Sequence, residues 1–108
     1  MAEIVMDDSS LAVLKGIVKN LCPKSVIWAF GSRVDGSAHS GSDLDLAIVD
    51  FGQEGADYGE LKAAVRESHI PFLIDIFELN RLPESFQREI QRSYVVLYDG
   101  RDGENLER

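Results

Sequence analysis

Residues 26–49 read VIWAFGSRVDGSAHSGSDLDLAIV, two apolar runs separated by twelve small and polar residues. Val26 to Phe30 is short, apolar and closed by Gly31, the pattern of a buried strand. Gly31 to Ser42 is too polar for a core. Asp43 to Val49 is a second strand. Alternation places Leu44, Leu46 and Ile48 on one face and Asp43, Asp45, Ala47 and Val49 on the other.

On the N-terminal side, Leu11, Leu14, Val18 and Leu21 recur at helical spacing. They predict a helix over 10–21, capped by Ser9 or Ser10 and ended by Pro23. On the C-terminal side, Tyr58, Leu61, Val65 and Ser68 give a second helical stripe over 57–68, after a loop from Asp50 to Asp57. Phe72 to Phe77 is a third strand entered through Pro71. Leu82, Phe86 and Ile90 mark another helix, with Pro83 in its first turn and Asn80 as its expected cap. Tyr94 to Tyr98 is a fourth strand, and 99–108 is a charged tail expected to fray. The order αβ(α)βαβαβ is that of an α/β (α+β) domain with helices on a central sheet. The connection between the second and third strands is long enough for a crossover helix, so those two are expected to run parallel.

The chain has 108 residues, the size of one domain, read here as 1–108. No apolar run approaches a membrane span, and residues 1–10 lack a signal pattern. The single cysteine, Cys22, cannot form an internal disulfide, which suits a reducing cytoplasm. Eleven Lys and Arg against nineteen Asp and Glu give a net charge of −8. That balance argues against long nucleic acid held by phosphate contacts. It leaves room for a small anion, because a bound divalent cation inverts the local field.

Aspartate is a poor strand former, yet Asp43, Asp45 and Asp75 sit in or at the edge of apolar strands. Asp43 and Asp45 project from one face, about 6.5–7 Å apart. Asp75, with Leu73 and Phe77, extends that surface if the third strand lies beside the second. Asp43 alone could merely end a turn after Gly41-Ser42. That reading fails for Asp45, flanked by Leu44 and Leu46, and for Asp75, flanked by Ile74 and Ile76, because an unpaired buried carboxylate is costly. Clustered carboxylates repel unless a cation joins them. Mg²⁺ prefers carboxylate oxygens, water and substrate phosphate, and two such ions about 3.5–4 Å apart form a clamp for in-line displacement at phosphorus.

Gly31-Ser32 lies just past the first strand, where ligands of open sheets collect. Glycine lets a phosphate approach the backbone, the Ser32 hydroxyl adds a donor, and Arg33 can add a charge-assisted contact. Two lookalikes fail. Gly31-x-x-x-x-Gly36 continues with Ser37-Ala38 in place of the Lys-Ser/Thr of a P-loop. Asp43-x-Asp45 with Glu54 imitates a calcium loop, but Ile48 occupies the position of the sharp-turn glycine.

Gly31-Ser32, ten intervening residues, Asp43-Leu44-Asp45-Leu46 and the later Ile74-Asp75-Ile76 together resemble the DNA polymerase β-like nucleotidyltransferase superfamily. Within it, FGSRVDGSAHSGSDLDLAI is most similar to the minimal nucleotidyltransferases, and the likeness runs from the first helix to the fourth strand. The resemblance implies a mixed sheet flanked by helices and transfer of a nucleoside monophosphate, AMP from ATP above all, to a hydroxyl. It implies that Asp43 and Asp45 bind two Mg²⁺ ions, which Mn²⁺ can replace. Asp75 would bind the catalytic ion and help deprotonate the acceptor. Gly31 and Ser32 would hold the phosphates of the leaving pyrophosphate, and Arg33 matches the arginine common after that pair. No motif element is missing.

Minimal members of this group commonly bind a small all-helical HEPN protein, some as antitoxins that add AMP to it. An acidic surface suits a basic RNA-cleaving partner better than RNA. Two other functions compete: a non-catalytic module that inhibits its helical partner by occlusion, and transfer to a small molecule such as an aminoglycoside. The second lacks an acceptor-binding domain within this length. Trp28 and Phe30 are expected in the core. Tyr58, Tyr94 and Tyr98 are expected to be half-buried, His39 to be a solvated loop residue and His69 to be structural. Cys22 has no activating base in view and reads as packing.

Overall fold

The computed structural model describes residues 4, 6–35, 43–52, 55 and 57–101. The first helix, α1 (Asp8–Leu21), begins two residues before the expected start at residue 10. Its cap is Asp7, not Ser9 or Ser10: the Asp7 carboxylate accepts from the Ser10 backbone N–H at 2.9 Å and from the Ser9 hydroxyl at 2.6 Å. An ionised acceptor makes the stronger cap, and the two serines serve it as donors. Cys22 closes the helix, its N–H reaching the Val18 carbonyl, and Pro23 follows.

Strand β1 (Val26–Phe30) leads through Gly31 into a single-turn helix, α2 (Ser32–Asp35), and β2 spans Leu44–Asp50. Helix α3 (Tyr58–Glu67) opens on a capping box: Asp57 accepts from the Glu60 N–H, and the Glu60 side chain accepts from the Asp57 N–H. Strand β3 (Ile74–Glu78) starts two residues later than its apolar run suggested, because the chain after Pro71 is still turning into register. A 3₁₀ turn (Leu79–Arg81) precedes α4 (Glu84–Arg92).

Asn80 does not cap α4; it lies inside the 3₁₀ turn, and Pro83 stands at the cap position. The residue before a proline is driven out of the helical region, and Leu82 is extended at ψ 156°, so no helix can start earlier. Strand β4 (Tyr94–Asp99) carries on one residue beyond the predicted run, and the Gly100 N–H anchors it to the Ser25 carbonyl at 2.8 Å.

The sheet is mixed, in the order β3-β2-β1-β4. β1 pairs antiparallel with β2 and β4, and β2 pairs parallel with β3 across the α3 crossover. The alternation in β2 sorts two apolar clusters to opposite faces. Leu44, Leu46 and Ile48 join Leu14 and Val18 of α1, Leu61 and Val65 of α3, and Ile27 of β1. On the other face Ala47 packs with Phe30, Leu79 and Ile90 under α4. Full burial of a side chain such as Leu14 or Ile27 contributes roughly 1.5–3 kcal/mol, so the α1/α3 face supplies most of the hydrophobic stabilisation. The α4 face is only partly covered, and the aspartates lie there. Among the described residues no helix is long and apolar enough to cross a membrane.

Candidate active site

One row of residues crosses the half-open face. Asp75 of β3 is the register partner of Asp45 in β2, Asp45 is that of Phe30 in β1, and Phe30 is that of Tyr94 in β4. Register partners on adjacent strands share a face and stand about 4.8 Å apart in backbone spacing, so Asp45 and Asp75 lie side by side. Asp43 is two residues earlier, on the same face at the approach to β2. The expectation that the third strand brings its aspartate beside the DLD pair is met.

Asp45 is half-buried, while Asp43 and Asp75 are exposed. Burial pushes the Asp45 carboxyl above the usual carboxylate range, and the negative charges of Asp75 and then Asp43 push it the same way. Among the described residues no three acidic, histidine or cysteine side chains are gathered tightly enough to hold a metal ion unaided. That arrangement still fits Mg²⁺, which takes one or two carboxylates and completes its shell with water and substrate phosphate. The donor set is oxygen only, which suits a hard cation and not zinc.

Gly31 adopts φ +88° at the end of β1. A Cβ built there would run into Oδ2 of Asp45, with the Asp45 Cγ at 3.4 Å. The glycine thus meets two demands at once: a left-handed turn into α2 and close approach of a carboxylate. Ser32 is the first residue of α2. The Arg33 guanidinium lies over the Phe72 ring, 3.9 Å from its centroid, so this cation is held at the approach to β3.

Openings flank the row on two sides. A cleft of about 220 Å³ lies beside Gly31, between the end of β1 and α4, with Phe86 and Glu89 on its rim. A groove of about 590 Å³ runs between α3 and the outer edge of β3 and includes Asp75. Within the row, Phe30 packs against Phe77 and Phe86, each with ring centroids 6.0 Å away.

Of the other individual readings, those of Phe30 and Cys22 as packed residues hold, whereas Trp28 is only partly buried and Tyr94 and His69 are exposed, the first two because their face of the sheet is half-open. Cys22 is fully buried in the core. Trp28 stacks on Tyr94, centroids 3.8 Å apart, and is partly buried against the α4 cluster. The Tyr58 hydroxyl donates to the Ile76 carbonyl at 2.6 Å, and that of Tyr98 to the Pro23 carbonyl at 2.7 Å, so both are structural. His39 lies outside the described residues. Sequence reasoning missed Phe72 as the seat of Arg33; no local pattern announces a contact between an arginine of α2 and the distant turn before β3.

A match to the family model described as Polymerase beta, Nucleotidyltransferase covers residues 14–102, from α1 through the end of β4. The chain belongs to this family. Nucleotidyltransferases of this family generally use divalent metal ions, in keeping with the oxygen donors of the row. The chain is 38% identical over 101 residues to the probable protein adenylyltransferase MntA of Haemophilus influenzae, spanning 91% of this chain and 87% of that protein. Two solved structures share the nucleotidyltransferase fold. One is a toxin-antitoxin with AMP-PNP, at a TM-score of 0.65 and 20% identity, covering 89% of this chain and 78% of that one. The other is the toxin-antitoxin MntA-HepT, at a TM-score of 0.61 and 16% identity, covering 93% and 79%.

Proposed function

We propose that this chain is a one-domain cytoplasmic antitoxin that transfers AMP from ATP to a hydroxyl on a HEPN-type helical partner. The observation that carries the reading is the Asp45–Asp75 register pair with Asp43 on the same face and Gly31 against Asp45. The similarity to MntA and the nucleotide-bound toxin-antitoxin fold support the choice of ATP and of a protein acceptor.

In this reading Asp43, Asp45 and Asp75 hold two Mg²⁺ ions, for which Mn²⁺ can substitute. Ions held there would neutralise phosphate charge and lower the pKa of the acceptor hydroxyl. Gly31 and Ser32 take the β- and γ-phosphates through backbone N–H groups, as successive amides in a tight turn can. Arg33, seated on Phe72, adds a positive charge near the phosphates. Asp75 accepts the proton of the acceptor hydroxyl. The acceptor oxygen then bonds to the α-phosphorus as the bond to pyrophosphate breaks. Phe30, Phe77 and Phe86 keep the floor of the site apolar, which strengthens the electrostatics above it.

The test is labelling of the co-purified partner with ATP carrying the label on its α-phosphate or on its γ-phosphate. Label from the α position alone, lost in Asp43→Asn/Asp45→Asn, supports nucleotidyl transfer. Neutralisation of the partner by that double variant without any label would favour occlusion instead.

A further inference from the structure

We infer that the groove between α3 and β3 receives the acceptor as an extended polypeptide segment with acidic side chains beside the reacting hydroxyl. The inference rests on the nucleotidyl-transfer reading and names the acceptor side of that same site.

Three observations on the molecule lead there. In-line displacement places the acceptor and the leaving pyrophosphate on opposite sides of the α-phosphorus. With the phosphates at Gly31, beside Asp45, the acceptor must arrive from the far side of the row, where Asp75 lines the 590 Å³ groove.

The second observation is charge. The groove carries Lys62 and Arg66, one helical turn apart on α3, and among the described residues that line it Asp75 is the one acidic residue. Lys62 lies over the Tyr58 ring, 5.4 Å from its centroid, and neither cation forms an ion pair among the described residues. In a chain of net charge −8 this is a local reversal of sign. Such a reversal steers an anionic partner and sets its register.

The third is the backbone. β3 is an edge strand. The Leu73 carbonyl turns inward to the Leu44 N–H at 3.0 Å, and the Ile76 carbonyl turns outward to the Tyr58 hydroxyl. Alternation turns the Ile74 groups outward as well, one residue from Asp75. With the Ile76 carbonyl already satisfied by Tyr58, it is the short stretch of edge at Ile74 that can pair with an incoming extended chain. Leu73, 70% exposed, gives that chain an apolar contact at the groove mouth.

Fluorescence anisotropy of the full chain with two synthetic peptides tests this, one a tyrosine flanked by glutamates and the other a tyrosine flanked by lysines. The glutamate peptide is expected to bind about tenfold more tightly at low salt. Lys62→Glu/Arg66→Glu should invert that preference and Lys62→Gln/Arg66→Gln should abolish it, with ATP affinity within about twofold of wild type in both. Circular dichroism confirms that each variant is folded. Equal binding of both peptides by wild type, or no binding, overturns the inference. So does a variant that keeps the wild-type preference, or one that loses ATP instead, which would give the groove to the nucleotide. Anisotropy needs no turnover, so failure of nucleotidyl transfer itself is read separately, in the partner-labelling experiment.

Discussion

The carboxylate of Asp45 occupies the space that a side chain on Gly31 would need. Turn and carboxylate are therefore one unit: the residue that opens the turn into α2 also sets the position of the central aspartate. Gly31→Ala should be destabilised by roughly 1–3 kcal/mol, from its positive φ and from displacement of Asp45. In an Asp45→Ala background the same change should cost less. A double-mutant cycle by chemical denaturation reads that coupling, and additive costs would mean the contact carries no energy.

Asp45→Asn removes a charge that burial, Asp75 and Asp43 all oppose. A carboxyl with a raised folded pKa binds its proton more readily in the folded state. Its ionisation therefore costs stability, and that cost appears as pH rises from the unfolded value through the folded one. The asparagine variant should be more stable than wild type at neutral pH, and the gain should shrink on acidification. Wild type should be stabilised by Mg²⁺ or Mn²⁺, and the variant much less. Thermal unfolding with and without metal checks each point; a less stable variant at neutral pH would contradict the account.

Asp7 moves the other way. Hydrogen bonds from Ser9 and Ser10 lower its pKa to about 2. A depressed carboxyl contributes stability that is present above the unfolded value near 3.8 and is lost as pH falls toward 2. Asp7→Ala should therefore lower the unfolding midpoint at neutral pH and flatten the acid limb between pH 4 and 2. Parallel acid limbs for the two proteins would rule out the cap.

Phe72→Ala should release Arg33 from its seat. If Arg33 serves the phosphates, KM for ATP should rise about two- to fivefold, with a smaller change in kcat. Phe72→Trp should keep the wild-type KM. Equal effects of both substitutions would make Phe72 a packing residue only.

Tyr58→Phe removes the hydroxyl that satisfies the outward carbonyl of Ile76. The expected cost is about 1 kcal/mol in equilibrium unfolding, with little change in KM for ATP.

Much of this could be seen in the sequence because the period of a strand is rigid. Alternation assigned Leu44, Leu46 and Ile48 to one face of β2 and Ala47 and Val49 to the other, as they pack, although the strand runs on to Asp50, which reads as loop. The length of the α3 crossover made β2 and β3 parallel, whereas the register that sets Asp75 beside Asp45 comes from the pairing of the two strands and was not legible in the sequence. The relation of Gly31 to Asp45 and the seat of Arg33 on Phe72 were not legible, since both join residues distant in sequence through tertiary geometry. The 3₁₀ turn escaped because Asn80 looks like a cap and only the extended Leu82 before Pro83 overrules it. The capping box is legible in the letters themselves, an aspartate at 57 followed three residues later by Glu60.

The most direct test of the central claim is the intact mass of the helical partner co-purified with this chain from cells. Co-expression with wild type should give a partner heavier by one or more AMP units, and Asp45→Asn or Asp75→Asn should give the unmodified mass while still co-purifying. An unmodified partner beside wild type, or a modified one beside Asp45→Asn, would contradict the assignment of this row of aspartates to nucleotidyl transfer.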